Sequence, residues 1–278
     1  MGKSVVLIKR GTNGSELAYE ALTEMKVEDV LRQCSKILIK PNITVAMPAS
    51  TGVTTHATIV EGVLQFMSER GIKNAIIGEG GGCDIPRAYE ELGFAEIARK
   101  YGVPLADFNK EPEIVVKVPE PLIQGEFGLA KTVTECDCII NVPCLKVHKW
   151  ESRVTLCMKN MMGCIARHRG IMHRDFNKRL MDLLKLTNKC SVNIIDGIVG
   201  REGDEIHGNS VDAGVIIAST DWVAADAVGA AVMGFSEGEV GHILLAEEYG
   251  FGIGTLECIE VRGASIESVK KPFKRARD

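Results

Sequence analysis

The stretch Cys138-Ile139-Ile140-Asn141-Val142-Pro143-Cys144-Leu145-Lys146-Val147-His148 opens as a buried strand and ends in a cluster of polar groups. A short continuous apolar run, without alternation, marks a strand covered on both faces. Similar runs recur at Val5-Val6-Leu7-Ile8, Ile37-Leu38-Ile39, Ala75-Ile76-Ile77, Ile114-Val115-Val116, Val192-Asn193-Ile194-Ile195 and Val215-Ile216-Ile217. Helical patterns lie between them, over Thr55 to Arg70, Arg87 to Lys100, Glu151 to Met162, Asn177 to Asn188, Trp222 to Met233 and Ser236 to Tyr249. Gly71 and Gly250 follow two of these in the position of a left-handed cap. The alternation predicts an α/β fold, a mostly parallel sheet with helices on both faces. The 278 residues read as one α/β domain without repeats or linkers. Three of the nine prolines fall between Glu111 and Gly125, which predicts an excursion and a smaller subdomain around residues 108–175.

Composition narrows the function classes. Apolar residues make up 45% and aromatics only 5%, so the core must be aliphatic. The net charge of −4 argues against a general nucleic-acid binder. The basic run Lys270-Lys271-Pro272-Phe273-Lys274-Arg275 reads as a solvated, flexible tail over 270–278. No apolar run approaches the roughly 20 residues that span a bilayer, and the N-terminus lacks the pattern of a signal peptide. Gly2 with an early serine only partly matches a myristoylation pattern, because Val6 holds the required hydroxyl position. The expectation is a cytoplasmic protein with no membrane or nucleic-acid partner. Nine cysteines in a reducing compartment are expected as thiols, either core filler or metal ligands.

Polar residues collect where strands end. Ile37-Leu38-Ile39 runs into Lys40-Pro41-Asn42, Ala75-Ile76-Ile77 into Gly78-Glu79-Gly80-Gly81-Gly82-Cys83-Asp84, and Ile194-Ile195 into Asp196-Gly197 and then Arg201-Glu202. In open α/β sheets the ligand crevice lies beyond the carboxyl ends of the strands. The glycine loop offers Gly80 and Gly81 as an anion cradle, although Glu79 within it would repel an anion. Within the predicted helix, Thr155 and Lys159 share one face, and Gly163 is a helix stop. The following Arg167-His168-Arg169-Gly170-Ile171-Met172-His173-Arg174 is either an anion site or a solvated basic loop.

The predicted site therefore has Lys40, Lys146 and Lys159 holding a small anionic ligand, with Asn42 and Asn160 orienting it. Arg167, His168 and His173 add positive charge, and Asp196 and Glu202 hold a divalent cation or partner the lysines. His148 is the general acid or base, since its ordinary pKa lies near 6.5. Cys144 is a rival nucleophile if Lys146 or His148 lowers its pKa. Cys83, Cys144, Cys157 and Cys164 lie nearest the expected crevice and are the candidate ligands for an iron–sulfur cluster or another metal. Cys136 and Cys138 share one side of a strand and read as core.

Lys40-Pro41-Asn42, the Asn141–His148 run, Thr155 through Lys159-Asn160 to Gly163, Asp196-Gly197 and Ser219-Thr220-Asp221-Trp222-Val223-Ala224-Ala225-Asp226-Ala227 together resemble the DUF362 family, a domain of unknown function. The resemblance implies a cytosolic α/β protein but no reaction. Many relatives carry closely spaced Cys-x-x-Cys runs and are labelled iron–sulfur proteins, which would imply an oxidoreductase. This chain has no Cys-x-x-Cys, has Cys144 where members often have lysine, and departs from the family at Gly78–Gly82. The Lys159–Gly163 stretch is also similar to lactate racemase-type proteins. The leading expectation is an enzyme acting on a small anion, with a redox role tied to the resemblance. The alternatives are a Mg-dependent phosphate- or nucleotide-ligand enzyme and a non-catalytic metal carrier or electron-transfer protein. Expected partners beyond the ligand are a second copy of the chain or a ferredoxin-like protein.

Overall fold

The central sheet of the computed structural model, which describes residues 3–276, orders its strands Ile259–Gly263, Ser4–Arg10, Val215–Ser219, Cys190–Glu202, Cys138–Val142, Ile37–Pro41, Ala75–Glu79 and Leu105–Asp107. The pairs from Cys190–Glu202 to Leu105–Asp107 are all parallel, as is the pair at the opposite edge. Only Val215–Ser219 runs against its neighbours within this order. The fold is α/β with a mostly parallel, mixed sheet.

Side-chain alternation explains the apolar runs. Leu7, Ile37, Ile39, Cys138, Ile140, Val192, Ile194, Ile216 and Ala218 point into a core with helices Gly14–Glu24, Ala57–Glu69, Ile85–Glu91 and Phe94–Tyr101. Val6, Ile8, Leu38, Ile139, Ile195 and Ile217 point the other way, toward helices Phe176–Thr187, Trp222–Val232 and Gly241–Glu248. Both faces are dry, so both registers of each strand are apolar. Among the described residues no helix is long and apolar enough to cross a membrane.

Several elements differ from the sequence reading. The helix expected over Arg87 to Lys100 divides at Gly93, whose φ of 86° leaves the helical region. The helix expected from Ser236 begins only at Gly241. The helix expected over Glu151 to Met162 survives only as Cys157–Asn160. Trp150 and Arg153 have φ of 60° and 56°, and Val154–Thr155 forms a short strand against Lys146-Val147. Ile114-Val115-Val116 belongs to no buried sheet. It pairs with Glu126–Ala130 in a separate two-stranded hairpin, where Val115 is 60% exposed. The 108–175 range also supplies Cys138–Val142 to the middle of the main sheet.

The strand around Ile194 runs on through Asp196 and Gly197 to Glu202, where the sequence suggested a loop. Pro143 is the reason. After Val142 the neighbouring chain breaks at this proline, and the next segment, Cys144–Val147, pairs with the second half of the long strand. The basic C-terminal run is anchored rather than flexible as far as residue 276. Lys271 and Phe273 donate backbone N–H groups to Val232 and Met233, Phe273 is buried, and Arg275 pairs with Glu239 while lying 3.5 Å over the Phe235 ring. Residues 277–278 of that tail, and Gly2 of the lipidation pattern, lie outside the described residues.

Candidate functional site

Because the central strands are parallel, their carboxyl ends share one edge of the sheet. A cleft of about 440 Å³ opens there. Asn42, Ile43 and Thr44 follow Ile37–Pro41, Glu79 to Gly82 close Ala75–Glu79, and Lys146, His148, Lys149 and Trp150 come from Cys144–Val147 and its exit. Thr155, Lys159, Asn160, Met162, Gly163, Arg169 and His173 form the opposing wall, with Glu205 and Ile206 at the end of the long strand.

Beneath the cleft lies a directed chain of side-chain amides. Lys146 Nζ donates to Asn42 Oδ1 at 2.6 Å. Asn42 donates to Asn160 Oδ1 at 2.9 Å, and Asn160 to Asn141 Oδ1 at 2.8 Å. Asn141 donates to Asn193 Oδ1 at 3.0 Å, and Asn193 to the Ser219 carbonyl at 3.4 Å. All four asparagines are buried. Each amide turns its carbonyl end toward Lys146, so the ammonium is stabilised by aligned dipoles instead of a carboxylate. A fully satisfied buried network of this kind fixes every rotamer in it.

Lys40 meets a different solution. Its Nζ sits 2.9 Å from both oxygens of Glu79, and lysine and carboxylate are both buried. Glu79 also accepts from the Ile43 and Gly80 backbone N–H groups, so its lone pairs are filled. The pair sits against Gly163, where a Cβ would collide with the Glu79 carboxylate. Gly163 is thus required by close approach, not as a left-handed stop. Asp226 fixes the segment before it, accepting from the backbone N–H of Cys157 at 2.6 Å and of Met158 at 3.0 Å. Burial pushes that carboxyl up to about 7. The short helix Cys157–Asn160, which carries Lys159 and Asn160, therefore hangs from a buried carboxylate on Trp222–Val232.

Three cations line the cleft without an ion-pair partner among the described residues: Lys146, Lys159 and Arg169. Lys159 Nζ has the Met162 sulfur at 3.6 Å and the Phe176 ring centroid at 5.4 Å. Burial holds its pKa down to about 8 against the opposite pull of Glu205, with a smaller contribution from Lys146 in the same direction as burial. Burial lowers the pKa of Lys146 and Arg169 as well. Polar atoms at the cleft are also unsatisfied: Thr155 Oγ1, Arg169 Nε and Glu205 Oε2 are buried without a hydrogen-bond partner.

His148 does not keep the pKa expected of an acid–base histidine. Burial, reinforced by Lys159, pushes it down to about 2, so the ring is neutral at physiological pH. Its Nδ1 lies 2.6 Å from the Lys149 carbonyl, which accepts only from an N–H, so the proton belongs on Nδ1. Nε2 is then a bare acceptor, 3.5 Å from Glu205 Oε1. His173 stacks nearly parallel to it, at 17° and 6.3 Å, with Trp150 against both rings.

The structure brings Asn42, Lys146, His148, Lys159, Asn160, His173, Gly80 and Gly81 to the cleft wall, with Lys40 buried behind it. Gly80 and Gly81 make no anion cradle. The Gly80 N–H is taken by Glu79, and a Cβ at Gly81 would collide with the Ile43 carbonyl, so the glycines serve close packing. Arg167 and His168 are exposed and lie outside the cleft wall, while Arg169 immediately after them turns inward. Asp196 is buried against His56, at 2.7 Å from its N–H and 2.8 Å from Nδ1. Glu202 binds the C-terminal segment through the Lys274 N–H. Neither acid reaches the cleft.

Cys144 is no activated thiol. It is buried beside Thr55, and burial pushes it up to about 12, overriding the opposite pull of Lys146. Cys164 is pushed up to about 12 in the same way, Cys157 is a core residue, and Cys83 is only half-buried. Among the described residues no three His, Cys, Asp or Glu side chains converge to hold a metal, so the candidate cysteines do not fit an iron–sulfur cluster.

Sequence reasoning missed Glu205, Trp150 and the inward turn of Arg169. It also missed Asn193 as the far end of the amide chain, yet this residue left a signal. Asn141 and Asn193 interrupt otherwise apolar buried strands, and a buried amide demands partners.

The sequence pattern of the family described as "Domain of unknown function (DUF362)" matches residues 37–231 of this chain. No curated protein matches it significantly. Among solved structures it is similar to the lactate racemase apoprotein from Thermoanaerobacterium thermosaccharolyticum, at 10% identity and a TM-score of 0.45. That match covers 86% of this chain and spans 58% of the length of the other protein.

Proposed function

Since this chain belongs to the DUF362 family, which is defined without a reaction, we propose from the chemistry of the cleft that it is an enzyme acting on a small carboxylate- or phosphate-bearing molecule. One observation carries the reading: Lys146, Lys159 and Arg169 face one cleft with no carboxylate in ion-pair reach among the described residues. A buried cation without a counter-charge is costly, and an anionic ligand supplies that charge. The cleft volume suits a small molecule. In this reading Lys146, held by the asparagine chain, is the fixed anion anchor. His148 Nε2 and Thr155 Oγ1 accept or donate hydrogen bonds to the rest of the ligand. The reading rests on lysines, arginine and imidazole, because among the described residues no cysteine lines the cleft.

A thermal-shift series with phosphate, sulfate and small mono- and dicarboxylates tests it. An anion present at about 100 times its Kd adds about 2.7 kcal/mol of stability. For a chain of this size that raises Tm by several degrees, and Lys146→Met should lose the response. No shift with any of these anions, or an equal shift in Lys146→Met, overturns the proposal.

A further inference from the structure

We propose that Lys159 is a covalent catalyst, whose amine condenses with the carbonyl of a small 2-oxo acid held by its carboxylate on Lys146 or Arg169. This rests on the anion-binding reading above and names its substrate class.

The geometry favours a nucleophile over a second anchor. Lys146 donates two hydrogen bonds, to Asn42 and to the Val53 carbonyl, and is held in place by them. Among the described residues Lys159 has no oxygen partner. Its nearest polar contact is the Met162 sulfur, and its stem passes Phe176. An amine in apolar surroundings beside a fixed cation is the arrangement that keeps a lysine neutral enough to attack a carbonyl. The titratable groups facing it are Lys146, His148, His173 and Glu205, with His242 behind Phe176. Of these, Glu205 alone is an acid. Thr155 Oγ1 is buried on the same wall and has no partner among the described residues, so it is available to the carbonyl oxygen.

The step balances without an added oxidant or reductant. The Nζ lone pair adds to the carbonyl carbon. The C–O bond then breaks, and the oxygen leaves as water with both amine hydrogens. The new C=N nitrogen takes one proton from solvent, giving an iminium that withdraws electrons from the adjacent carbons. At pH 7 an amine with a pKa of about 8 is about one-tenth neutral, against roughly one in three thousand for an ordinary lysine.

Reductive trapping tests the proposal on the intact protein. Glyoxylate, pyruvate and 2-oxoglutarate are each incubated with it, borohydride is added, and the modified lysine is located by peptide mass mapping. The expected result is an adduct on Lys159 with at least one acid, at least tenfold above that on exposed lysines such as Lys110 and Lys131. Its yield rises as pH approaches 8. Lys159→Arg, which keeps the charge, and Lys159→Met both lose the adduct. No Lys159 adduct with any of the three, or labelling spread evenly over exposed lysines, overturns the proposal. If the same acids still raise Tm, the anion-binding reading stands and Lys159 is an anchor. If they do not, and inorganic anions also fail, both readings fall.

Discussion

Lys159→Met should make the protein more stable while leaving Lys146 and Arg169 to hold an anion. The lysine lies in an apolar pocket between Met162 and Phe176, and its pKa falls from the usual 10.5 to about 8. A shift of that size corresponds to roughly 3 kcal/mol of penalty on the charged form. Methionine fills a similar volume without the charge, so a gain of about 2–3 kcal/mol is expected at pH 7. The pH dependence fixes the sign. Below pH 8 the amine is protonated in both folded and unfolded chains, and the penalty is complete. Between about 8 and 10.5 the unfolded chain binds the proton more tightly, so wild-type stability rises with pH relative to the variant. The advantage of methionine should therefore shrink across that window and vanish above it. Urea unfolding at pH 7 and at pH 10 measures both. A loss of stability at pH 7 would show that Lys159 is a structural residue.

Glu79→Ala should have the opposite effect on stability. The substitution leaves Lys40 buried without a counter-charge, and also strips the acceptor from the Ile43 and Gly80 N–H groups. Breaking one partner of a buried pair costs about 3–5 kcal/mol. Adding Lys40→Met to Glu79→Ala removes the stranded charge, so the double variant should recover a good part of the loss. Urea midpoints of the two singles and the double give the coupling. Additive losses would mean that the pair contributes little as a pair.

The contrast between these two lysines divides the site into scaffold and working parts. Lys40 is paired with Glu79, whereas Lys159 has no carboxylate in ion-pair reach among the described residues. In sequence the two look alike, each a lysine at the end of an apolar run. What distinguishes them is a glutamate 39 residues away for Lys40, and nothing comparable for Lys159. Pairing across strands is set by topology, which local pattern does not encode.

The sheet itself was legible because both registers of each strand are apolar, and Gly71 and Gly250 do take left-handed φ of 69° and 74°. The edge that carries the cleft was legible too, since parallel strands must gather their carboxyl ends. The segment 150–175 was not. Its course depends on left-handed Trp150, Arg153, His168 and Asp175, residues without the glycine signal for such backbone. The helical spacing of Thr155 and Lys159 was therefore misleading. Asp196 and Glu202 were misplaced for a related reason, because the extended strand beyond Pro143 holds them against His56 and the C-terminal segment.

The central claim is that the cleft holds cations whose missing counter-charge is supplied by the ligand. The most direct test follows the Cε signal of Lys159 by NMR against pH, in protein carrying ¹³C-lysine and assigned with Lys159→Met. In the protein alone the titration should have its midpoint near 8. With a bound anion from the thermal-shift series it should move back up toward 10.5. A midpoint at the ordinary lysine value without ligand, or one that does not move when an anion binds, would contradict it.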